Sequence, residues 1–487
     1  MKKNISATTI LLYLFITFFT SCTDSTPIEY IKEKAPIYPD YTDVTIPQNI
    51  APLNFLVRGS SDGVRAIARF DNDSIVSDRD DNKVIFDINE WKELLTKACG
   101  KKIEVTVDRK DNEVWKRYNK FDLYVAKDSI DPYLTYRLIE PDYEVYGELS
   151  IRERCIEDFS ERAICDHGLV GDRCMNCHIL GNQNPHLSMM YVRGEGGGAV
   201  LNKDGKLRKL NIKTDDMIGG SVYFGFSPDG HYITFSTNII IPSFYSKPYK
   251  RMEVFDKKSD VYIADIDNDK IIRSTLLSDS TTFETFPTFS PDGRYIYFCS
   301  AKMVKEIKDL QYDLCRITFN EKTGQIGTKT DTIISSRNAP ISNKHSICHP
   351  KISPDGRYIL YTVANYGTFP IWHPEADLQM MDLHTGRIDT LAIVNSSKSD
   401  TYHSWSSNSH WFVFASKRDD GLYGKPYFCY IDHQGKAHKP FVLPQQDPAF
   451  YDYNLKSFNI PELSRGTLPF KATDIANVMK KDAENFK

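Results

Sequence analysis

A chain of 487 residues with a net charge of −4 has room for more than one domain and for an ample core. It carries no long basic run, which argues against nucleic acid as a partner, and no interior stretch reaches the twenty or so apolar residues that span a bilayer. Aromatic residues make up 12%, with 28 Tyr and 27 Phe, a bias that suits the pleated surfaces of an all-β protein.

Lys2 and Lys3 precede a short apolar run from Ile10 to Phe19, and Thr20-Ser21 leads into Cys22. This is the pattern of an export signal over residues 1–21. Small residues just before a Cys resemble the bacterial lipoprotein box, with Phe19 where the box usually has Leu. The resemblance implies cleavage before Cys22, acylation of its thiol and new amine, and a membrane anchor on the periplasmic or cell-surface side of the bacterial envelope. The alternative is an ordinary secretory peptide with an incidental Cys. Residues 22–50, rich in Pro, Asp, Tyr and Thr without a helical or strand period, are expected to form a tether.

Between residues 51 and 128, alternating runs are separated by turn residues: Asn54–Val57, Val64–Phe70, Lys83–Phe86, Lys102–Val107 and Phe121–Val125. One short helix over Asn89–Lys97 places Trp91, Leu94 and Leu95 on one face. This span predicts a small β-sandwich with no acid/base or metal constellation. Residues 129–190 read as a linker segment; within it Tyr133–Ile139 is a strand candidate that helps close the following domain.

From residue 191 to 470 a decamer repeats. Phe226-Ser227-Pro228-Asp229-Gly230-His231-Tyr232-Ile233-Thr234-Phe235 returns at Phe289–Phe298 and Ile352–Tyr361, with a worn copy at Trp405–Phe414. The steps are 63, 63 and 53 residues. Ser-Pro-Asp-Gly is turn chemistry, and the alternation after it is a strand. One turn-plus-strand signature per unit predicts an all-β fold: a small N-terminal β-sandwich followed by a β-propeller of about six blades. The decamers resemble those of TolB-type, WD-repeat-like propellers. Residues 471–487 form a C-terminal tail with a short helix near Ile475–Glu484.

The chemistry is concentrated in Cys174-Met175-Asn176-Cys177-His178. Cys-x-x-Cys-His is the attachment signature of c-type haem: two thiols take the vinyl groups of one porphyrin edge, and the adjacent His is the proximal iron ligand. On this reading Cys174 and Cys177 form the thioethers of one haem c and His178 binds its iron. Met189, Met190 and His186 are candidates for the sixth ligand, with His167 a further rival; Met189 and Met190 also read as core at a strand start. Other readings stand beside it: a structural disulfide, a zinc site drawing on Cys155, Cys165 or His167, and a redox-active thiol pair. His345, His349 and His403, close to repeat turns, are expected to hydrogen-bond within their blades.

The stretch from Pro132 to Arg193 resembles a group of exported TolB-like propeller lipoproteins that carry this pentapeptide. That resemblance implies the architecture and no established reaction; with a haem bound, the expected role is electron transfer or redox-linked binding in the envelope, with protein partners on the propeller face. The rival is a haem-free propeller that binds protein or glycan, its cysteines purely structural. Gly194-Glu195-Gly196-Gly197-Gly198 precedes a strand rather than a helix, so it is a hairpin turn and not a phosphate loop. Asp265–Asp269 and Asp419-Asp420-Gly421 read as solvated turns rather than calcium loops. The chain has no Gly-x-Ser-x-Gly elbow.

Overall fold

The computed structural model describes residues 28–140, 148–247, 250–338 and 346–487, apart from the side chains at 176, 177, 246, 247, 250, 251 and 338. The export signal, Cys22 and His345 lie outside these residues.

Six sheets, each with four blade strands paired antiparallel, form a β-propeller. The third, fourth and fifth blades begin with the inner strands Ser221–Phe226, Thr282–Phe289 and Ser346–Ile352, and the sixth with Asp400–Trp405. In the third to fifth, the Ser-Pro-Asp-Gly turn joins the inner strand to the next. Ser227 Oγ donates to Asp229 Oδ1 at 2.6 Å and accepts from Tyr232 N at 2.9 Å, so one hydroxyl closes both sides of the turn. Gly230, Gly293 and Gly356 take φ values of 71°, 69° and 75°, the left-handed region where a Cβ is costly. In the worn copy Ser409 adopts the same conformation at φ 65°. The strand that follows each turn is buried on both faces, as at Tyr358–Ala364, because it is the second of four strands in a packed blade.

The second blade starts at Met175–Leu180 and runs through Leu187–Val192, Gly198–Lys203 and Lys206–Asn211. The first closes the ring: its inner strand, Ser457–Ser464, comes from the end of the chain and pairs with Tyr133–Ile139, followed by Ser150–Cys155 and Glu161–Asp166. Residues 129–190 are therefore not a linker. They supply three strands of the first blade and begin the second; irregular loops between them hid the period. The C-terminal tail, residues 471–487, holds a short helix at Ala472–Met479, a few residues before the expected span, and its Glu484–Asn485 adds an edge to the second blade.

The N-terminal domain holds a seven-stranded sheet, a three-stranded sheet and the helix Ile88–Lys97. Asp87 caps that helix by accepting from Asn89 N and Glu90 N, and Trp91, Leu94 and Leu95 are buried on one face. The described part of the expected tether is ordered within this domain. Ile28–Lys34 runs parallel to Val114–Asn119, and Thr45–Pro47 runs parallel to Phe121–Ala126. Backbone pairing, invisible to hydrophobic periodicity, holds these strands. The domain shares one continuous core with the propeller, reaching from Trp91 and Leu95 to Trp411, Phe428 and Tyr136. Across the seam, Arg58 makes a two-pronged ion pair with Asp452 at 2.8 and 2.6 Å.

Candidate axial binding site

Each inner strand carries one extra residue against its neighbour, a β-bulge at the same place in every blade. In five blades the bulge residue is left-handed: Tyr223, Phe286, His349, Tyr402 and Ile460, with φ between 49° and 53°. None is glycine, and each conformation costs on the order of 1 kcal/mol or more. Four of these side chains converge on the propeller axis, where their contacts offset that strain. Ring centroids are 4.4 Å apart for Tyr223–Phe286, 3.9 Å for Phe286–His349 and 5.0 Å for His349–Tyr402. Tyr223 also meets His349 at 5.7 Å, although their blades are not adjacent. The rings plug the channel.

The Cys-x-x-Cys-His motif occupies this bulge in the second blade. Met175–Leu180 is an extended strand whose register shifts between Asn176 and Ile179, which puts Cys177 at the place of Tyr223 and His178 at the place of Phe224. The signal that would have found it is the spacing: Tyr223, Phe286, His349 and Tyr402 each lie four residues before the Ser that opens the turn, with the same steps as the turns.

Beside the plug is a small cavity of about 60 Å³, lined among others by His178, His349, His403, Lys351 and Glu462. Among the described residues, the nitrogens of His178, His349 Nε2 and His403 Nδ1 make no hydrogen bond of good geometry, although backbone groups of Thr135 and Ile460 lie close to His178. Burial pushes the His178 imidazole down to about 4; Arg137 adds to this, and the backbone at Thr135 and Ile460 pulls the other way. His403 is pushed down to about 3 by burial, against the Leu360 carbonyl, which its Nε2 meets at 2.9 Å. His349 is held well below the usual imidazole range by burial and by His403. All three are neutral at pH 7. The expected hydrogen bonds within the blade are not what hold them: the His403 bond crosses to the fifth blade, and His349 stacks among the axial rings. A space of this size suits about two waters.

Lys351 and Glu462 also form the floor of a wider mouth of about 330 Å³ on the turn side of the ring. Its rim includes Asn182, Gln183, Ser407 and Arg465. Burial pushes the Glu462 carboxyl up to about 7, with Lys351 and the Leu180 amide at 2.8 Å opposing. The Lys351 ammonium makes no hydrogen bond or ion pair with any described residue. On the opposite side of the plug a mouth of about 180 Å³ is lined by Cys174, Arg137, Arg193, Trp372 and Lys417. The paired long strands Tyr232–Lys247 and Lys250–Asp265 wall it with Ile240, Met252 and Val254.

Among the described side chains, those singled out for a haem do not come together around one. Cys174 is a free thiol lining the 180 Å³ mouth, whereas the His178 imidazole faces the 60 Å³ cavity and another of about 20 Å³ between blades. Pockets for flat organic groups run to roughly 300 Å³ or more, so a macrocycle does not fit beside this imidazole. Met189 and Met190 are buried on opposite faces of Leu187–Val192, in two different core clusters, and His186 is exposed in the preceding loop. None of the three lines the cavity that His178 shares with His349 and His403, but Met189 and Met190 both line the space of about 20 Å³ with His178, which is far too small for a macrocycle. Among the described residues, Cys155, Cys165 and His167 form no metal-binding group and Cys174 has no disulfide partner; the side chain of Cys177 lies outside them.

No family model and no curated protein matches the chain. Among solved structures it is similar to puromycin hydrolase, at 11% identity over 64% of this chain and 45% of that one, with a TM-score of 0.37. It is also similar to the β-propeller domain of Cps50 (Swd1) from Myceliophteria thermophila, at 11% identity over 58% and 70% of the two chains and a TM-score of 0.31. The GH74 enzyme of Niastella koreensis gives 10% identity over 70% and 47%, with a TM-score of 0.34. The chain spans under half the length of the hydrolase and of the GH74 enzyme. The likeness is one of fold alone.

Proposed function

We propose that this protein is a haem-free binding propeller, held at the bacterial envelope through an acylated Cys22, which takes a carboxylate of a partner peptide into the turn-side mouth. One observation carries the reading: the Lys351 ammonium lines the floor of an open space of about 330 Å³ and makes no hydrogen bond or ion pair with any described residue. Glu462 is the nearby acid that burial keeps partly protonated at neutral pH, so it opposes an incoming anion less than an exposed carboxylate would. Arg465, exposed at the rim, extends the positive field outward. A peptide is favoured over a glycan because the aromatic rings at this mouth, Phe226, Phe289 and Trp405, are buried in the blades and offer no open platform for a sugar ring.

The test is a calorimetric titration of the full chain with a pool of tetrapeptides bearing free C-terminal carboxylates, against the same pool amidated. The free acids should bind, more weakly as salt is raised, and Lys351→Met should weaken them at least tenfold. Equal binding of acid and amide pools, or binding indifferent to Lys351→Met, would overturn the reading.

A further inference from the structure

Away from the axis, three ligand-bearing side chains meet where the N-terminal domain joins the propeller. Asp128 lies just beyond Phe121–Ala126, the last strand of that domain. His410 sits in the worn turn before Trp411–Ser416, and His433 in the turn after Lys425–Tyr430. A ligand atom of each lies within 4.8 Å of the other two. We propose that Asp128, His410 and His433 bind one divalent transition-metal ion, of which Zn²⁺ is the type, and that the ion clamps the interdomain segment to the sixth blade.

The distances suit this. His433 Nε2 is 3.3 Å from Asp128 Oδ2, close to the edge of a tetrahedron with metal–ligand bonds of about 2.0 Å. His410 Nδ1 lies 2.9 Å from the Ile431 carbonyl, so it carries the proton and leaves Nε2 with its lone pair. Such a backbone bond on the far nitrogen is the support that metal-binding histidines ordinarily have. The carboxylate is likewise held: the Tyr430 hydroxyl donates to Asp128 Oδ2 at 2.7 Å, and the Trp411 indole donates to the Asp128 carbonyl at 2.9 Å. Asn408 Nδ2 donates to the neighbouring Ser129 carbonyl at 2.5 Å, so the segment is pinned on both sides of the site.

The His410 and His433 rings lie 4.2 Å apart between centroids, so both imidazoles stand beside the same carboxylate. The donor set is two nitrogens and one oxygen without sulfur, which suits Zn²⁺, Ni²⁺ or Cu²⁺ over softer ions. Three protein ligands leave a fourth position for water.

The experiment is equilibrium dialysis and thermal unfolding of the full chain, prepared without a polyhistidine tag, with ZnCl₂ as the probe. One equivalent of Zn²⁺ should bind and raise the melting temperature, and EDTA should reverse the rise. His433→Gln, at a side chain 65% exposed, should fold normally and weaken binding at least tenfold; His410→Ala should abolish the rise, while His186→Ala should leave it intact. No saturable binding by the wild type, or one equivalent retained by both His410→Ala and His433→Gln, would overturn the proposal.

Discussion

Gly356 tests the turn geometry on its own, because a Cβ built there meets nothing within 4 Å while φ is +75°. Gly356→Ala should therefore lower stability by about 1 kcal/mol through backbone strain alone, read as a shift in the urea midpoint with an unchanged slope. An unaffected midpoint would mean that the turn is not left-handed there. Glu462 makes the corresponding test of the channel floor. Its folded pKa of about 7 lies above the ordinary carboxyl value of 4.5, so the folded state holds the proton longer than the unfolded chain. Stability from this group is fully present below pH 4.5 and is lost as pH rises through 7. His178 and His403, pushed down to about 4 and 3, act in the opposite sense: their contribution is present above pH 6.5 and is lost as pH falls. Comparing Glu462→Gln with the wild type cancels the histidines. The variant should gain on the wild type by on the order of 3 kcal/mol between pH 4 and pH 8; parallel stability curves would contradict the burial of this carboxyl.

The repeated element is an inner strand with a bulge, a turn and a buried second strand, and its parts differ in how plainly they are written. Ser-Pro-Asp-Gly and the alternation after it are local chemistry, legible at sight in three copies. The bulge has no residue type of its own, being Tyr223, Phe286, His349, Tyr402 or Ile460 by turns. What these share is a position relative to the turn and a destination on the axis, and the second is a property of the closed ring. Cys177 and His178 were for that reason legible as a haem motif and not as the second blade's copy of the bulge, whose own turn has lost the signature between Gly181 and His186. If this strand is only scaffold, the double variant Cys174→Ser, Cys177→Ser should keep its unfolding free energy within about 1 kcal/mol of the wild type and still bind the tetrapeptides with free C-terminal carboxylates. Failure of the variant to reach the folded state would argue for a covalent role of the thiols.

Over the whole molecule, the ring is closed by the last long strand, Ser457–Ser464, set between the beginning of the propeller and its axis. Tyr133–Ile139 was readable as a strand from its alternation, and its end-to-end pairing was foreseen only as a role in closure. The order of residues 28–50 was not readable at all, because parallel strands borrowed by a distant sheet leave no periodic trace. Since the two domains share one core, thermal unfolding should show a single cooperative transition, and truncation after Asn454 should abolish it rather than shave off a separable tail; two resolved transitions would contradict the shared core. The central claim is that the buried His178 faces a space too small for a porphyrin and belongs to the axial scaffold. Its most direct measurement is the absorption spectrum of the full chain purified from a host with haem-attachment machinery and then denatured: the account predicts no Soret band, and a Soret band that stays with the polypeptide through denaturation would contradict it.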